Sequence, residues 1–291
     1  MIEIDKEKCT SCGKCVEVCP SGIIASERRD GKRIVSVAYP DWCNLCGHCL
    51  AVCEPHAVSC RRIAYDDVQE LGEIDISPEE MKKLLLARRS VRKYTKEPVA
   101  DEAIAELIEV AVHAGTGGNL QSVGFIVIRD RDLLDRLELA TLDVLWNSGV
   151  KFLGKSWLLP LLRMKLGREA TDQLQRYYDM MKIKRDADAL ACSVFRNAPA
   201  AIFAYEKKAN RMGALNCAIA MRNVEVMAMT MGLGSCWAGF LISAANLKAS
   251  KINGMLELGD DERIHGALML GHPKYAYNVK MPRKARALTY L

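Results

Sequence analysis

Residues 9–20 read CTSCGKCVEVCP and residues 43–55 read CNLCGHCLAVCEP. In each run two residues separate successive members of a cysteine triplet, three more precede a fourth cysteine, and the second run repeats the first 34 positions later. Three thiolates on one short loop can grip three corners of an iron–sulfur cube, while a fourth, just ahead of a proline that turns the chain away, ligates the other cube. The spacing therefore predicts two crossed sets, Cys9, Cys12, Cys15 and Cys53 for one 4Fe–4S cluster, and Cys43, Cys46, Cys49 and Cys19 for a second. Zinc also takes CxxC pairs, but two pairs to an ion, which two triplets with outlying fourth cysteines do not supply.

Over residues 1 to about 63 the chain resembles the bacterial two-cluster ferredoxins. It departs from them where Glu54 intervenes before Pro55, which alters the local turn and removes no ligand. Between the runs, Asp30 and Gly31 predict a hairpin turn ahead of the alternating Ile34, Val35, Ser36, Val37. So small a domain has little apolar core, and clusters would act as its staples.

Working outward, the whole chain has 291 residues, half of them apolar, enough for two unequal domains. Its net charge of +5 comes from interspersed charges without a long basic run, so nucleic acid is not an expected partner and small anions fit better. The charged start MIEIDKEK lacks the apolar stretch of an export signal, which predicts a cytoplasmic protein. Disulfides are disfavoured in that compartment, so twelve cysteines need another task. Cys60, Cys192, Cys217 and Cys236 fall outside the repeat and read as small buried hydrophobes, with Cys236 alone near a motif.

The acidic stretch 64–78, AYDDVQELGEIDISP, predicts a linker between domains 1–63 and 79–291. Ser77 and Glu80 have capping-box spacing around Pro78 and start a helix through Met81, Leu84 and Leu85. A second helix presents Ile104, Leu107, Ile108, Ala111 and Val112 on one face. Strands are predicted at Phe125–Ile128 (buried), Pro199–Tyr205, Ser235–Phe240 and Gly266–Leu270, with helices at Gly213–Met231 and around Asn246. This is an α+β pattern around one central sheet flanked by helices. The uncharged stretch Val226–Leu247 is broken by glycines and polar residues, and reads as buried helix, turn and strand rather than a membrane span.

Several short motifs remain. RRSVR (88–92) can clamp an anion or simply sit at a helix carboxyl end. HAGTGGNLQS (113–122) sets Asn119 and Gln121 past a glycine-rich bend, where amides can meet a heterocycle edge. GLGSCWAGF (232–240) brings backbone near any flat ligand at Gly239. LMLGHPK follows, then PRK with Arg283. Neither a GxGxxG fingerprint nor a phosphate-loop GxxxxGK[ST] is present.

In this order the motifs resemble the FMN-dependent nitroreductase family over about residues 79–291. The resemblance implies that Arg88, Arg89, Ser90 and Arg92 hold the FMN phosphate and ribityl chain with Arg283 assisting. It implies ring and ribityl contacts from Asn119 and Gln121, backbone amides of Ala238 and Gly239 toward ring N5, and Trp237 beside the ring. Gly115, Thr116 and Ser122 depart from residues common in the family's middle motif. Family members are usually homodimers, which the apolar helix from Gly213 would suit.

Together the modules predict an oxidoreductase in which a low-potential donor such as ferredoxin loads the clusters, these reduce FMN, and FMN reduces a nitro, quinone-like or activated alkene acceptor. Two alternatives stand beside it: NAD(P)H reducing the flavin with outward flow through the clusters, and a redox sensor without a substrate. No catalytic acid is assigned; His113 at a helix end reads as a carbonyl cap before a proton donor. Residues 142–197 carry no motif, and serve as a lid or interface before any membrane contact. Tyr177 and Tyr178 are candidates for the substrate pocket.

Overall fold

The computed structural model describes residues 2–63, 68–148, 150–154, 157–186, 193–284 and 287–291. The chain divides into two compact units, Met1–Ile76 with Thr116–Leu120, and Ser77–Gly115 with Gln121–Leu291.

The first unit pairs β1 (Ile2–Ile4) antiparallel with a strand near residue 60. After α1 (Lys14–Glu17), the hairpin β2 (Ile24–Arg29) and β3 (Lys32–Val37) closes through Asp30 and Gly31, whose φ angles of 52° and 76° are those of a two-residue turn matched to strand twist. Then come α2 (His48–Ala51) and β4 (Val58–Cys60), the partner of β1. The core is small: Ile2, Ile23, Ile24, Val35, Leu50 and Val58, packed against the cysteines.

In the second unit, α3 (Pro78–Ala87) starts as expected, with the Ser77 side chain accepting from the Glu80 backbone and Glu80 accepting from that of Ser77. Then follow α4 (Asp101–Val112), β5 (Gly124–Ile128), α5 (Arg131–Ser148), α6 (Leu158–Leu166), α7 (Arg168–Asp186), β6 (Ala200–Lys207), α8 (Gly213–Thr230), β7 (Gly234–Trp237), α9 (Gly239–Leu247), α10 (Ala249–Asn253) and β8 (Glu262–Gly271). The four strands form one antiparallel sheet in the order β5-β6-β8-β7.

Strand β6 is buried on both faces, and its side chains alternate. Ala201 and Phe203 join a core with Leu134 and Leu137 of α5 and Leu241 of α9. Ala200, Ile202 and Ala204 join another with Leu107 of α4 and Met221 of α8. The result is the expected sheet covered by helices on both faces.

Three expectations need correction. The strand predicted through Phe240 ends at Trp237, because Gly239 and Phe240 open α9. Phe125–Val127 are only half-buried, since β5 is an edge strand, and Ile128 alone is buried. Val112, assigned to the inner face of α4, is 53% exposed at the helix end. Among the described residues no helix is long and apolar enough to cross a membrane.

Candidate functional site

The cysteine loops repeat in conformation as well as in spacing. Ser11 and Gly13 have positive φ in the first, Leu45 and Gly47 in the second, so both loops wind alike into α1 and α2. Left-handed turns of this kind can gather backbone N–H groups around an anion such as an iron–sulfur core. Cys9, Cys12, Cys15 and Cys53 line one small cavity, and Cys43, Cys46, Cys49 and Cys19 line another, the latter with Cys60 in its wall.

Burial pushes the Cys15 thiol up and the Cys49 thiol up to about 11, whereas the Lys14 backbone N–H lowers that of exposed Cys12. Metal binding must deprotonate the buried thiols, so loading releases protons. Among the described residues no three His, Cys, Asp or Glu side chains converge on a single-ion site. Glu54, the departure before Pro55, pairs with Lys14 at 2.5 Å. Within the same unit the Asn119 side-chain amide donates to the Asn44 carbonyl at 3.0 Å, beside Cys43.

In the second unit the RRSVR stretch runs beside the sheet. The Val91 N–H donates to the Ser235 carbonyl at 2.9 Å, Thr95 N–H to His272, and Lys274 N–H to Lys93. This closeness depends on two glycines. A Cβ on Gly234 would lie 2.5 Å from Val91 Cγ2 and 2.9 Å from Pro273 Cγ, and one on Gly271 3.1 Å from Tyr94 Cδ1 and 2.5 Å from Pro199 Cδ.

Below this stretch opens a cavity of about 620 Å³, lined by Arg92, Trp237, Ala238 and Gly239 among the predicted residues. Arg88, Arg89, Ser90, Asn119, Gln121 and Arg283 are not in its wall. Arg88 faces the buried carboxylate of Glu225 at 3.4 Å, which Arg222 also approaches at 3.4 Å. Asn119 and Gln121 adopt positive φ, as does Gly118, which explains the glycine-rich bend. Arg283 lies exposed on the carboxyl-terminal segment. The Ala238 N–H donates to the Ala267 carbonyl at 2.8 Å, so it is engaged with the sheet rather than turned to a ligand. Gly239, first in α9, has one of the N–H groups that a helix leaves without an internal acceptor.

The segment 142–197 supplies much of the opposite wall through Leu145, Leu153, Leu174, Tyr177 and Met181. Tyr177 meets Phe240 edge-on at 5.9 Å. Tyr178 does not line the cavity: it stacks on Trp146 and occupies the space beside Gly154. His113 caps a helix carbonyl, its Nδ1 lying 2.8 Å from the Glu109 carbonyl. Cys60, Cys217 and Cys236 are buried, and Cys236 lines the cavity; Cys192 lies outside the described residues.

Sequence reasoning missed Arg196. It lines the cavity from a turn in which Arg196 and Asn197 have φ of 55° and 57°, which costs Arg196 on the order of 1–2 kcal/mol. Buried Glu138 holds the turn by accepting the Ser193 N–H at 2.5 Å and the Phe195 N–H at 3.1 Å. Burial pushes the Tyr94 phenol above the usual tyrosine range, while Arg196 and Arg92 nearby pull the other way.

The family model for the nitroreductase family matches residues 85–272. The chain belongs to the nitroreductase family. A 4Fe–4S binding domain matches at residues 2–25, so this nitroreductase carries an iron–sulfur module at its amino end and is an oxidoreductase. It is 25% identical over 197 residues to an Archaeoglobus fulgidus protein provisionally named NADH dehydrogenase/NAD(P)H nitroreductase, covering 67% of this chain and 87% of that one. It is 27% identical over 107 residues to iodotyrosine deiodinase 1 of Rattus norvegicus, covering 37% and 36%. Among solved structures its fold is similar to nitroreductases with bound FMN from Bacteroides fragilis (TM-score 0.56, 17% identity, 73% of this chain and 98% of that one) and Desulfitobacterium hafniense (0.51, 19%, 72% and 97%).

Proposed function

We propose that this nitroreductase is an iron–sulfur flavoprotein in which a low-potential donor, ferredoxin in the first instance, delivers electrons through two 4Fe–4S clusters to FMN for reduction of a nitro, quinone-like or activated alkene acceptor. The observation that carries the reading is the pair of four-cysteine cavities in one chain with the nitroreductase cavity. The residues of that cavity suit a flat anionic cofactor: Trp237 gives an aromatic wall, Arg92 a phosphate or ring-oxygen partner, and Gly239 a close backbone approach. Bound there, FMN would accept electrons singly and deliver them in pairs. Tyr177 and Phe240 would exclude water from the acceptor and hold it in place.

Entry from a protein donor is favoured by a groove at the first unit's surface. Lys6, Arg29, Lys32 and Arg33 line it against one carboxylate, Asp30, and it reaches Cys9 and Ser11. Such a surface would steer an acidic carrier protein toward the cluster of Cys9 and exposed Cys12.

The chain acts as a homodimer in this reading. Met212 (before α8), Leu215 and Ile219 are 42%, 51% and 39% exposed at helical spacing, an apolar stripe that a second copy would cover. A cytoplasmic setting would keep the thiols reduced for cluster assembly.

Anaerobic reduction of cluster-replete protein tests the direction. Bleaching of flavin absorbance by reduced ferredoxin and not by NADH or NADPH is the expected result. Direct reduction by the nucleotides, the chemistry in the name of the Archaeoglobus relative, would reverse the flow.

A further inference from the structure

We propose that Arg196, with Arg92 in the lining of the same cavity, forms an oxyanion site in the nitroreductase cavity, the oxyanion being an acceptor's carboxylate. Both guanidiniums line an otherwise largely apolar wall, and among the described residues neither has an acidic partner. Arg196 is half-buried and Arg92 exposed, so both keep water, and what they offer an anion is two positive charges set on a largely apolar wall.

The turn that carries Arg196 is built rather than incidental. Glu138, 3% exposed, uses both carboxylate oxygens to hold the Ser193 and Phe195 N–H groups, and Phe195 is fully buried. Arg196 is held left-handed against its preference, the kind of outlier that clusters at ligand sites. A guanidinium fork then meets a carboxylate or phosphate with two parallel hydrogen bonds.

The inference deepens the reading of this cavity as the acceptor site, and it is tested without turnover. Calorimetry on the full-length protein as purified compares 4-nitrobenzoate with its neutral methyl ester. FMN and riboflavin are compared on protein freed of flavin and checked for native circular dichroism. In wild type 4-nitrobenzoate binds more tightly than its methyl ester, and Arg196→Gln removes about tenfold or more of that preference while leaving the ester unchanged. Arg196→Lys restores part of it, which guards against a folding defect. Loss confined to the nitrobenzoate pair assigns the acceptor, and loss confined to the FMN pair places Arg196 at the cofactor phosphate and overturns the proposal. Equal weakening of charged and neutral members, or no change in either pair, overturns the site. Failure to bind any flavin, with nitrobenzoate discrimination intact, would sink the flavin reading and leave this one standing.

Discussion

Cys53 lines the same small cavity as Cys12, 41 positions before it, while Cys49, four residues from Cys53, lines the other. Cys12→Ala and Cys53→Ala are therefore expected to damage one and the same cluster. Each removes roughly half of the bound iron, and the double variant removes no more than either alone. Cys12→Ala with Cys19→Ala removes nearly all. Iron analysis with electron paramagnetic resonance of the reduced proteins decides between crossed and uncrossed sets.

Gly234→Ala forces apart the RRSVR stretch and β7, since the new methyl would lie 2.5 Å from Val91. Overpacking of this kind costs about 1–3 kcal/mol. The expected outcome is a lowered urea midpoint together with weaker FMN retention on gel filtration. A stable protein with unaltered flavin content would show that Val91 and Arg92 need no fixed distance from the strand.

Glu138→Gln leaves one of two buried N–H groups facing an amide rather than a carboxylate oxygen. Unfolding free energy should fall by about 1–3 kcal/mol, read from denaturant titration. Because the affected turn carries Arg196, the nitrobenzoate preference should fall with it.

Burial lowers the pKa of His265, with the Arg263 charge adding to the effect. The unfolded chain thus binds a proton there more readily than the native one. Stability is full above about pH 6.5 and declines as pH falls from that value to the depressed native pKa, below which this contribution no longer changes. Melting temperatures between pH 7.5 and 5 should drop less steeply in His265→Gln than in wild type.

A dimer through the apolar stripe of α8 makes thermal stability depend on protein concentration. Leu215→Glu, at a position 51% exposed in the single chain, should convert the dimer to monomer in sedimentation experiments while preserving helical content. Unchanged sedimentation would place the partner elsewhere.

The parts of the molecule legible in the sequence are those where one residue type has one use. The cysteine repeat, the Asp30–Gly31 turn and the Ser77–Glu80 box are local devices whose geometry follows from spacing alone. The alternation along β6 shows in its apolar run, though not which core receives Phe203 and which Ile202. Phe240 lies in WAGFLI (237–242), an apolar run that offers no period to separate strand from helix. Arg196 was unreadable for a different reason. Its importance rests on a carboxylate 58 positions earlier and on a left-handed backbone, hinted at only by Asn197, a residue type tolerant of positive φ. Ala238 shows the converse: its motif was legible, while the pairing of its N–H with Ala267 depends on sheet register.

The two cysteine cavities are not equivalent in what they can survive. Cys60 at the end of β4 stands in the wall of the second beside Cys43, Cys46, Cys49 and Cys19, whereas the first is walled by its four thiols and no fifth. Oxidative loss of a ligand in the second leaves a sulfur of the same chemistry close by, and loss in the first leaves a bare corner. Under oxygen stress a cluster held by Cys9, Cys12, Cys15 and Cys53 should therefore be lost before one held by Cys43, Cys46, Cys49 and Cys19.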